Sequence, residues 1–269
     1  MLKHPISPTV DCIFKAILGA EENKNLLIDF LNSVLAPQSP ISDVEILNPY
    51  NEREFYKDKL TIVDIKAKDE KGTAYQIEIQ LSVFSYLPER MLYTWSDIYQ
   101  SQLTSGEKFS ELCPVISIWL LTENLFPQSP AFHHHFQMLD EANQQRLSQH
   151  CSIHTIELEK WQFSERLNPE GEWLYFFKEA ENWQELPEII NTPKMRQAMA
   201  VLERFSEKEA NYHLYQARQN AIREEQTRQQ LLEDALRDKE EALRREEETA
   251  AREKRLREKL KKAGLDPDE

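Results

Sequence analysis

From Asp11 to Leu35 apolar residues recur every three or four positions: Ile13, Phe14, Ile17, Leu18, Leu26, Leu27, Phe30, Leu31, Val34 and Leu35. That period predicts a helix over residues 11–35, divisible at Gly19 and stopped by Pro37 and Pro40. The pattern then alternates. Residues 44–47 predict a short strand. Residues 60–68 and 74–81 predict two longer strands, joined by a turn at Asp69-Glu70-Lys71-Gly72. An amphipathic run over 88–103 predicts a helix, and 114–121 a buried strand. Up to this point the order is α-β-β-β-α-β. Further on, 131–139 and 152–158 predict two more strands and 171–182 an aromatic-rich helix. From Pro193 to the end the chain reads as helix, with Thr192 as N-cap and Pro193 in the first turn.

Alternation also places side chains. In the 74–81 strand, Tyr75, Ile77, Ile79 and Leu81 face one way and Gln76, Glu78 and Gln80 the other. In the 60–68 strand, Val63, Ile65 and Ala67 oppose Ile62, Asp64, Lys66 and Lys68. A turn over 69–73 pairs Lys68 with Ala74, Lys66 with Gln76, Asp64 with Glu78 and Ile62 with Gln80. Directly opposed residues share a face, so the Asp64 and Glu78 Cβ atoms are expected about 5 Å apart. Two carboxylates that close repel each other, and a divalent cation between them removes the repulsion. Oxygen ligands suit Mg²⁺ or Mn²⁺. The Gln80 amide and the Lys66 ammonium are placed to position a nucleophile or a phosphate oxygen. The competing reading of the same residues is a solvated sheet face.

Composition divides the chain. Of its 269 residues 40% are apolar and 30% charged, unevenly distributed. Residues 217–262 are almost without aromatics and consist mainly of Glu, Arg, Lys, Gln, Ala and Leu. The expected organisation is a core at 1–125, an extension packed on it at 126–210, and a charged helical tail at 211–269. In the tail, Glu and Arg/Lys recur four apart, which supports a solvent-exposed helix. Leu232, Leu236, Leu243, Leu256 and Leu260 form a thin stripe. The tail therefore reads as a single solvated helix or as a coiled-coil arm for homo-oligomerisation.

The net charge is -14, so a nucleic-acid partner would need a local basic patch. Cys12, Cys113 and Cys151 are scattered without a CxxC, which argues against a disulfide framework. No signal pattern and no run of 18 apolar residues is present, so the expectation is a cytoplasmic protein with no membrane partner. His133-His134-His135 lies in a strand-like run, where His134 must point away from its neighbours. The three cannot form one ligand set, and a structural role is expected. His150, Cys151 and His154 lack a second pair at structural-zinc spacing. No Ser/His/Asp, phosphate-loop or dinucleotide motif is present.

Val63-Asp64, thirteen residues, then Glu78-Ile79-Gln80 resembles the PD-(D/E)XK nuclease signature in its D…ExQ form. Asp11-x-x-Phe14-Lys15-x-x-Leu18 and Leu27-Ile28-x-Phe30-Leu31-Asn32-x-Val34-Leu35 resemble the opening of the Rpn-type recombination-promoting nucleases, the PD-(D/E)XK nuclease family transposases. Arg90-x-x-Tyr93, Tyr99-x-x-Gln102-Leu103-x-x-Gly106 and Leu112-x-Pro114-Val115-Ile116 extend the likeness, which covers about residues 5–225. The resemblance implies an α/β restriction-endonuclease-like core, with a mixed central sheet flanked by helices and here a long C-terminal charged helix. It implies a metal-dependent DNA endonuclease linked to recombination or mobile DNA. Asp64 and Glu78 would bind Mg²⁺ or Mn²⁺, with the Ile79 carbonyl as a further ligand and Gln80 assisting. Gln80 stands where many such nucleases carry lysine, and an amide brings no charge; Lys66, Lys59 or Arg90 would supply it. Lys15, Lys59 and Arg90 would contact DNA. Asp11 matches the family opening, and Tyr93 shares a helix face with Arg90, with packing as the competing reading of Tyr93 and a surface lysine as that of Lys15. The other reading is a nuclease-fold protein without catalysis, acting through protein–protein interaction at its C-terminal helix.

Overall fold

A computed structural model describes residues 4–48 and 65–262. The first helical run divides at Gly19 into α1 (Asp11–Leu18) and α2 (Lys24–Leu35), with a 3-10 turn at Glu21–Asn23 between them. A Cβ on Gly19 would approach the Lys15 carbonyl oxygen to 2.8 Å, so any other residue would force this tight corner to shift. Next come β1 (Val44–Ile46), β2 (Ile65–Asp69), β3 (Ala74–Gln80), α3 (Leu87–Gln100) and β4 (Val115–Leu121), in the predicted order. Residues 60–64 of the predicted first long strand, Asp64 among them, lie outside the described residues, as does Lys59.

Side-chain and backbone hydrogen bonds build the turn between β2 and β3. Asp69 Oδ1 accepts from the Lys71 and Thr73 amides at 2.9 and 2.8 Å. Gly72 takes φ +87°, a conformation that side-chain-bearing residues rarely adopt. The resulting register pairs Lys68 with Ala74, Lys66 with Gln76 and Ile65 with Ile77. For these residues it is the register predicted from a 69–73 turn.

The remaining elements are β5 (His133–Phe136), the short pair β6 (Leu139–Asp140) and β7 (Gln145–Arg146), β8 (Cys151–Glu157), α4 (Pro169–Glu179), α5 (Pro193–Glu207) and α6 (Glu209–Lys262). Two expectations need correction here. The strand expected over 131–139 is only four residues long. The helix expected to run unbroken from Pro193 is interrupted at Lys208, whose ψ of 115° is extended. Thr192 does cap α5: its Oγ1 accepts from the Met195 amide at 3.3 Å.

Six strands form one mixed sheet in the order β1-β2-β3-β4-β8-β5. The β1–β2 and β2–β3 pairs are antiparallel, β3–β4 and β4–β8 parallel, and β5–β8 antiparallel. Thus the segment after residue 125 supplies two strands to the sheet that carries β2 and β3. Strand parity gives the sheet two different faces. Tyr75, Ile77, Ile79, Ile118, Leu120 and Ile156 join the larger core, made with α1, α2, α4 and α5. Ala74, Val115, Trp119, Leu121, Cys151 and Ile153 face the other way and meet Leu87, Met91 and Trp95 of α3. Burial of each large apolar side chain contributes roughly 1.5–3 kcal/mol.

The described residues from 220 onward form a second compact unit. Within it the helix carries exposed ion pairs one turn apart, such as Arg237–Asp234 at 2.9 Å and Arg245–Glu241 at 3.2 Å. Among the described residues no helix is long and apolar enough to cross a membrane.

Candidate active site

The polar side of β3 is not a solvated face. Parity directs Gln76 and Glu78 toward α3, where only 2% and 3% of each remains exposed. A buried carboxylate without compensation is costly, so its neighbours decide what the site can do. Arg90, on α3, supplies the compensation. One of its terminal nitrogens pairs with Glu78 Oε1. The other donates to Gln80 Oε1 at 3.0 Å. Arg90 thereby bridges Glu78 and Gln80, the two polar positions of the ExQ motif. Its guanidinium carbon also lies 5.4 Å from the centroid of the Trp119 ring, within cation–π range.

On the far side of Glu78, Gln76 Nε2 donates to Glu78 Oε2 at 3.5 Å. Gln76 Oε1 accepts from Ser117 Oγ at 3.0 Å, and Ser117 Oγ accepts from the indole Nε1 of Trp119 at 2.8 Å. The parallel register of β3 and β4 makes this chain possible by setting Gln76 opposite Ser117 and Glu78 opposite Trp119. Gln80 donates through Nε2 to the Ser82 carbonyl at 2.8 Å, which fixes its amide orientation toward Arg90. Gln76, Ser117 and Trp119 were not singled out by sequence. Serine and tryptophan alternating in a buried strand were the available signal, but their partner depends on a crossover that pattern alone does not register.

The other candidates fall in different places. Lys66 lies opposite Gln76 on the Glu78 side of the sheet, and its amide donates to Asn48 Oδ1 at 2.7 Å. Ile79 turns its side chain into the opposite core, leaving its backbone carbonyl as its polar group. Tyr93, for which packing was the competing account, is 74% exposed on α3. Asp11 and Lys15 are buried in α1 rather than presented at a surface. Asp11 Oδ1 accepts from the Cys12 amide at 2.7 Å, and Oδ2 lies 3.4 Å from Arg218 Nε. Burial raises the Asp11 carboxyl above the usual range, against the opposing pull of Arg218, the Cys12 amide and Lys15. The Lys15 stem and Ile65 of β2 both border the space beside Gly19, so this cluster adjoins the described start of β2.

The histidine run occupies the opposite sheet face near its β5 edge. His133 Nδ1 meets Glu170 Oε1 at 2.6 Å, and His133 Nε2 meets His154 Nδ1 at 2.8 Å. His154 Nε2 lies 3.0 Å from Ser152 Oγ, which lies 2.8 Å from His135 Nε2. His134 points to the other face, toward Ser129 Oγ and Glu157. Burial, reinforced by His135 and His133, pushes His154 down to about 3. Among the described residues no group of three or more His, Cys, Asp and Glu side chains is arranged to hold a metal ion.

The sequence as a whole matches the family model described as PD-(D/E)XK nuclease family transposase over residues 8–235. The chain belongs to this family. The match spans both core and extension and includes β2, β3, α3 and β4, the elements around Glu78. The six-stranded mixed sheet flanked by helices is consistent with the PD-(D/E)XK fold. No curated protein and no solved structure matches the chain.

Proposed function

We propose that the protein is a divalent-metal-dependent DNA endonuclease of the PD-(D/E)XK type, with a role in recombination or movement of DNA. The observation that carries this reading is Glu78: a buried carboxylate in the family's acidic motif, aligned by Gln76 and neutralised by a cation from α3. A glutamate this deeply buried needs a partner, and the partner here is a half-exposed cation that a ligand can also reach.

Asp64 and Glu78 are the proposed metal ligands, with the Ile79 carbonyl as a third. The donor chemistry near Glu78 fits Mg²⁺ or Mn²⁺: carboxylate and amide oxygens are present, and no thiolate is among them. When bound, such an ion lowers the pKa of a coordinated water and stabilises charge on a phosphate. The chain's own residues then divide the remaining work. Glu78 is held in orientation by Gln76 and Arg90. Gln80, its amide direction fixed by the Ser82 carbonyl, orients the nucleophilic water. Arg90 brings the positive charge that Gln80 lacks and is the candidate contact to the scissile phosphate. Lys66 is proposed to assist from β2 and Lys59 as a further cation, while Asp11 and Lys15, buried in α1, are proposed to support the site rather than to touch DNA. α3 and Trp119 keep bulk water from the inner side of the carboxylate.

The test is Mn²⁺ titration of the wild-type chain and of Glu78→Gln, followed by calorimetry. Wild type is expected to bind the ion with at least tenfold higher affinity. Equal affinity would remove Glu78 from the metal site.

A second role rests on α6, where Leu232, Leu236 and Leu243 are each at least half exposed. This stripe supports self-association through the C-terminal helix. Sedimentation that shows a monomer at high concentration would count against it.

A further inference from the structure

Large aromatic rings left in water gain nothing from folding, and single ones are common on any surface. The flank of α3 beside Glu78 is different because two of them bracket a functional cation. Tyr86 is 58% exposed and Tyr93 74% exposed. Tyr86 is the N-cap of α3, one turn before Arg90, and at about 100° per residue Tyr86, Arg90 and Tyr93 fall within an arc of roughly 60°. Leu87, Met91 and Trp95 take the adjoining arc against the sheet. The result is a line of tyrosine, arginine, tyrosine, roughly 10 Å long at 1.5 Å per residue. Its central member is the residue that touches Glu78 and Gln80. Phe84 stacks on Tyr86 with centroids 5.2 Å apart and planes 5° apart, which holds that ring as part of a flat surface.

Aromatic faces set beside a guanidinium match one chemistry closely. Bases stack on the rings, and a phosphate binds the cation. An intact duplex keeps its bases stacked on one another and presents phosphates and groove edges, so two tyrosine faces contribute little to holding it. An unpaired strand does use them. The separation of the tyrosines along the helix is about three base steps of roughly 3.4 Å, room for about two nucleotides between the rings. Glu89 and Asp97 on the same helix add negative charge around the line and disfavour a long track of phosphate contacts.

We infer that the Tyr86–Arg90–Tyr93 flank of α3 binds DNA with unpaired bases, so that the substrate class is single-stranded or locally unpaired DNA rather than intact duplex. This inference rests on the proposed nuclease function of the Glu78 site. Tyr86 and Tyr93 stack on nucleotides either side of the phosphate that Arg90 holds, and they act as specificity residues rather than catalytic ones.

The test uses the full chain, a labelled 12-nucleotide single strand, the same sequence as a duplex, and the same sequence as RNA, with Ca²⁺ as the ion. Fluorescence anisotropy is expected to show the DNA single strand bound at least tenfold more tightly than the duplex. Tyr86→Ala/Tyr93→Ala is expected to lose about tenfold or more per ring on the single strand. It should leave duplex binding unchanged, while Tyr86→Phe/Tyr93→Phe retains wild-type binding. Both tyrosines are exposed, so circular dichroism of the variants is expected to match wild type. Equal or tighter duplex binding, or an alanine pair with undiminished single-strand binding, would overturn the inference. Preference for the RNA strand would overturn its assignment to DNA. In cleavage assays with Mg²⁺, duplex cut at least as fast as the single strand, with single-strand cutting undiminished in the alanine pair, counts against this inference alone. Tyrosine-dependent binding without any cutting counts against the nuclease reading alone.

Discussion

Two polar clusters lie on opposite faces of the central sheet, one around Glu78 and one around His154. The histidine cluster is assembled from groups that can all be neutral apart from Glu170 at its end. Each ring nitrogen that faces inward meets another ring, the Ser152 hydroxyl or the Glu170 carboxylate. One proton per hydrogen bond satisfies each link from Glu170 to His135. The Glu78 cluster buries a carboxylate and balances it with Arg90, a cation 39% exposed to solvent. Its balance depends on a charge that water and ligands can reach. The residue types point the other way, since three consecutive histidines look more like a metal centre than one glutamate does. What separates the clusters is the exposure of the group at their charged end: Glu170 of the histidine chain is 13% exposed, whereas the Arg90 that balances Glu78 is 39% exposed.

The largest predicted effect sharpens the contrast from the core side. Trp119 is fully buried and joins the Glu78 cluster to the α3 core. Trp119→Ala should destabilise by about 3–5 kcal/mol in urea unfolding.

The histidine cluster has its own signature, in pH. Its largest shift is on His154, lowered to about 3 first by burial and then by His135 and His133. Below an unfolded value of about 6.5 the unfolded chain takes up a proton that the folded chain refuses. Stability from His154 is therefore complete above about pH 6.5 and falls as pH drops toward 3. Between pH 6.5 and 4 the loss should be about 3 kcal/mol. His154→Gln should flatten the dependence, and denaturant midpoints across that range would show it.

Arg90→Met should cost about 1–3 kcal/mol, less than for a fully buried pair because Arg90 is part-exposed. Glu78→Gln added to it should restore much of the loss, as a double-mutant cycle would measure. Ser117→Ala comes last, at about 1 kcal/mol, by removing the hydroxyl between Trp119 and Gln76. An additive Ser117/Glu78 pair would show that the two ends of the Glu78 chain are not coupled.

The readability of these regions from sequence follows the range of the interactions. The β2–β3 register was legible because it depends on strand alternation and on Asp69 and Gly72 in one short turn. The break at Gly19 and the Thr192 cap were legible for the same local reason. The Gln76–Ser117–Trp119 chain was not, because it requires β4 to lie parallel to β3 in one register, set by the crossover through α3. Nor were the pairing of β5 with β8 and the capture of His133 by Glu170, which joins residues from a strand and a later helix. Tyr93 was ambiguous since helical spacing places it with Arg90 but does not tell whether that flank is covered. The break at Lys208 had no signal in its surroundings, which are helix-favouring on both sides.

Glu78 and Asp64 are proposed to support metal-dependent cutting of DNA. The direct measurement is a time course of cleavage of supercoiled plasmid and circular single-stranded DNA, with Mg²⁺, with Mn²⁺ and with EDTA. Wild type, Glu78→Gln and Asp64→Asn would be purified identically. The account predicts cutting of at least one substrate by wild type with metal, none with EDTA, and a loss of at least 100-fold in each variant. Intact DNA under all conditions, or cutting by the variants at the wild-type rate, would contradict it.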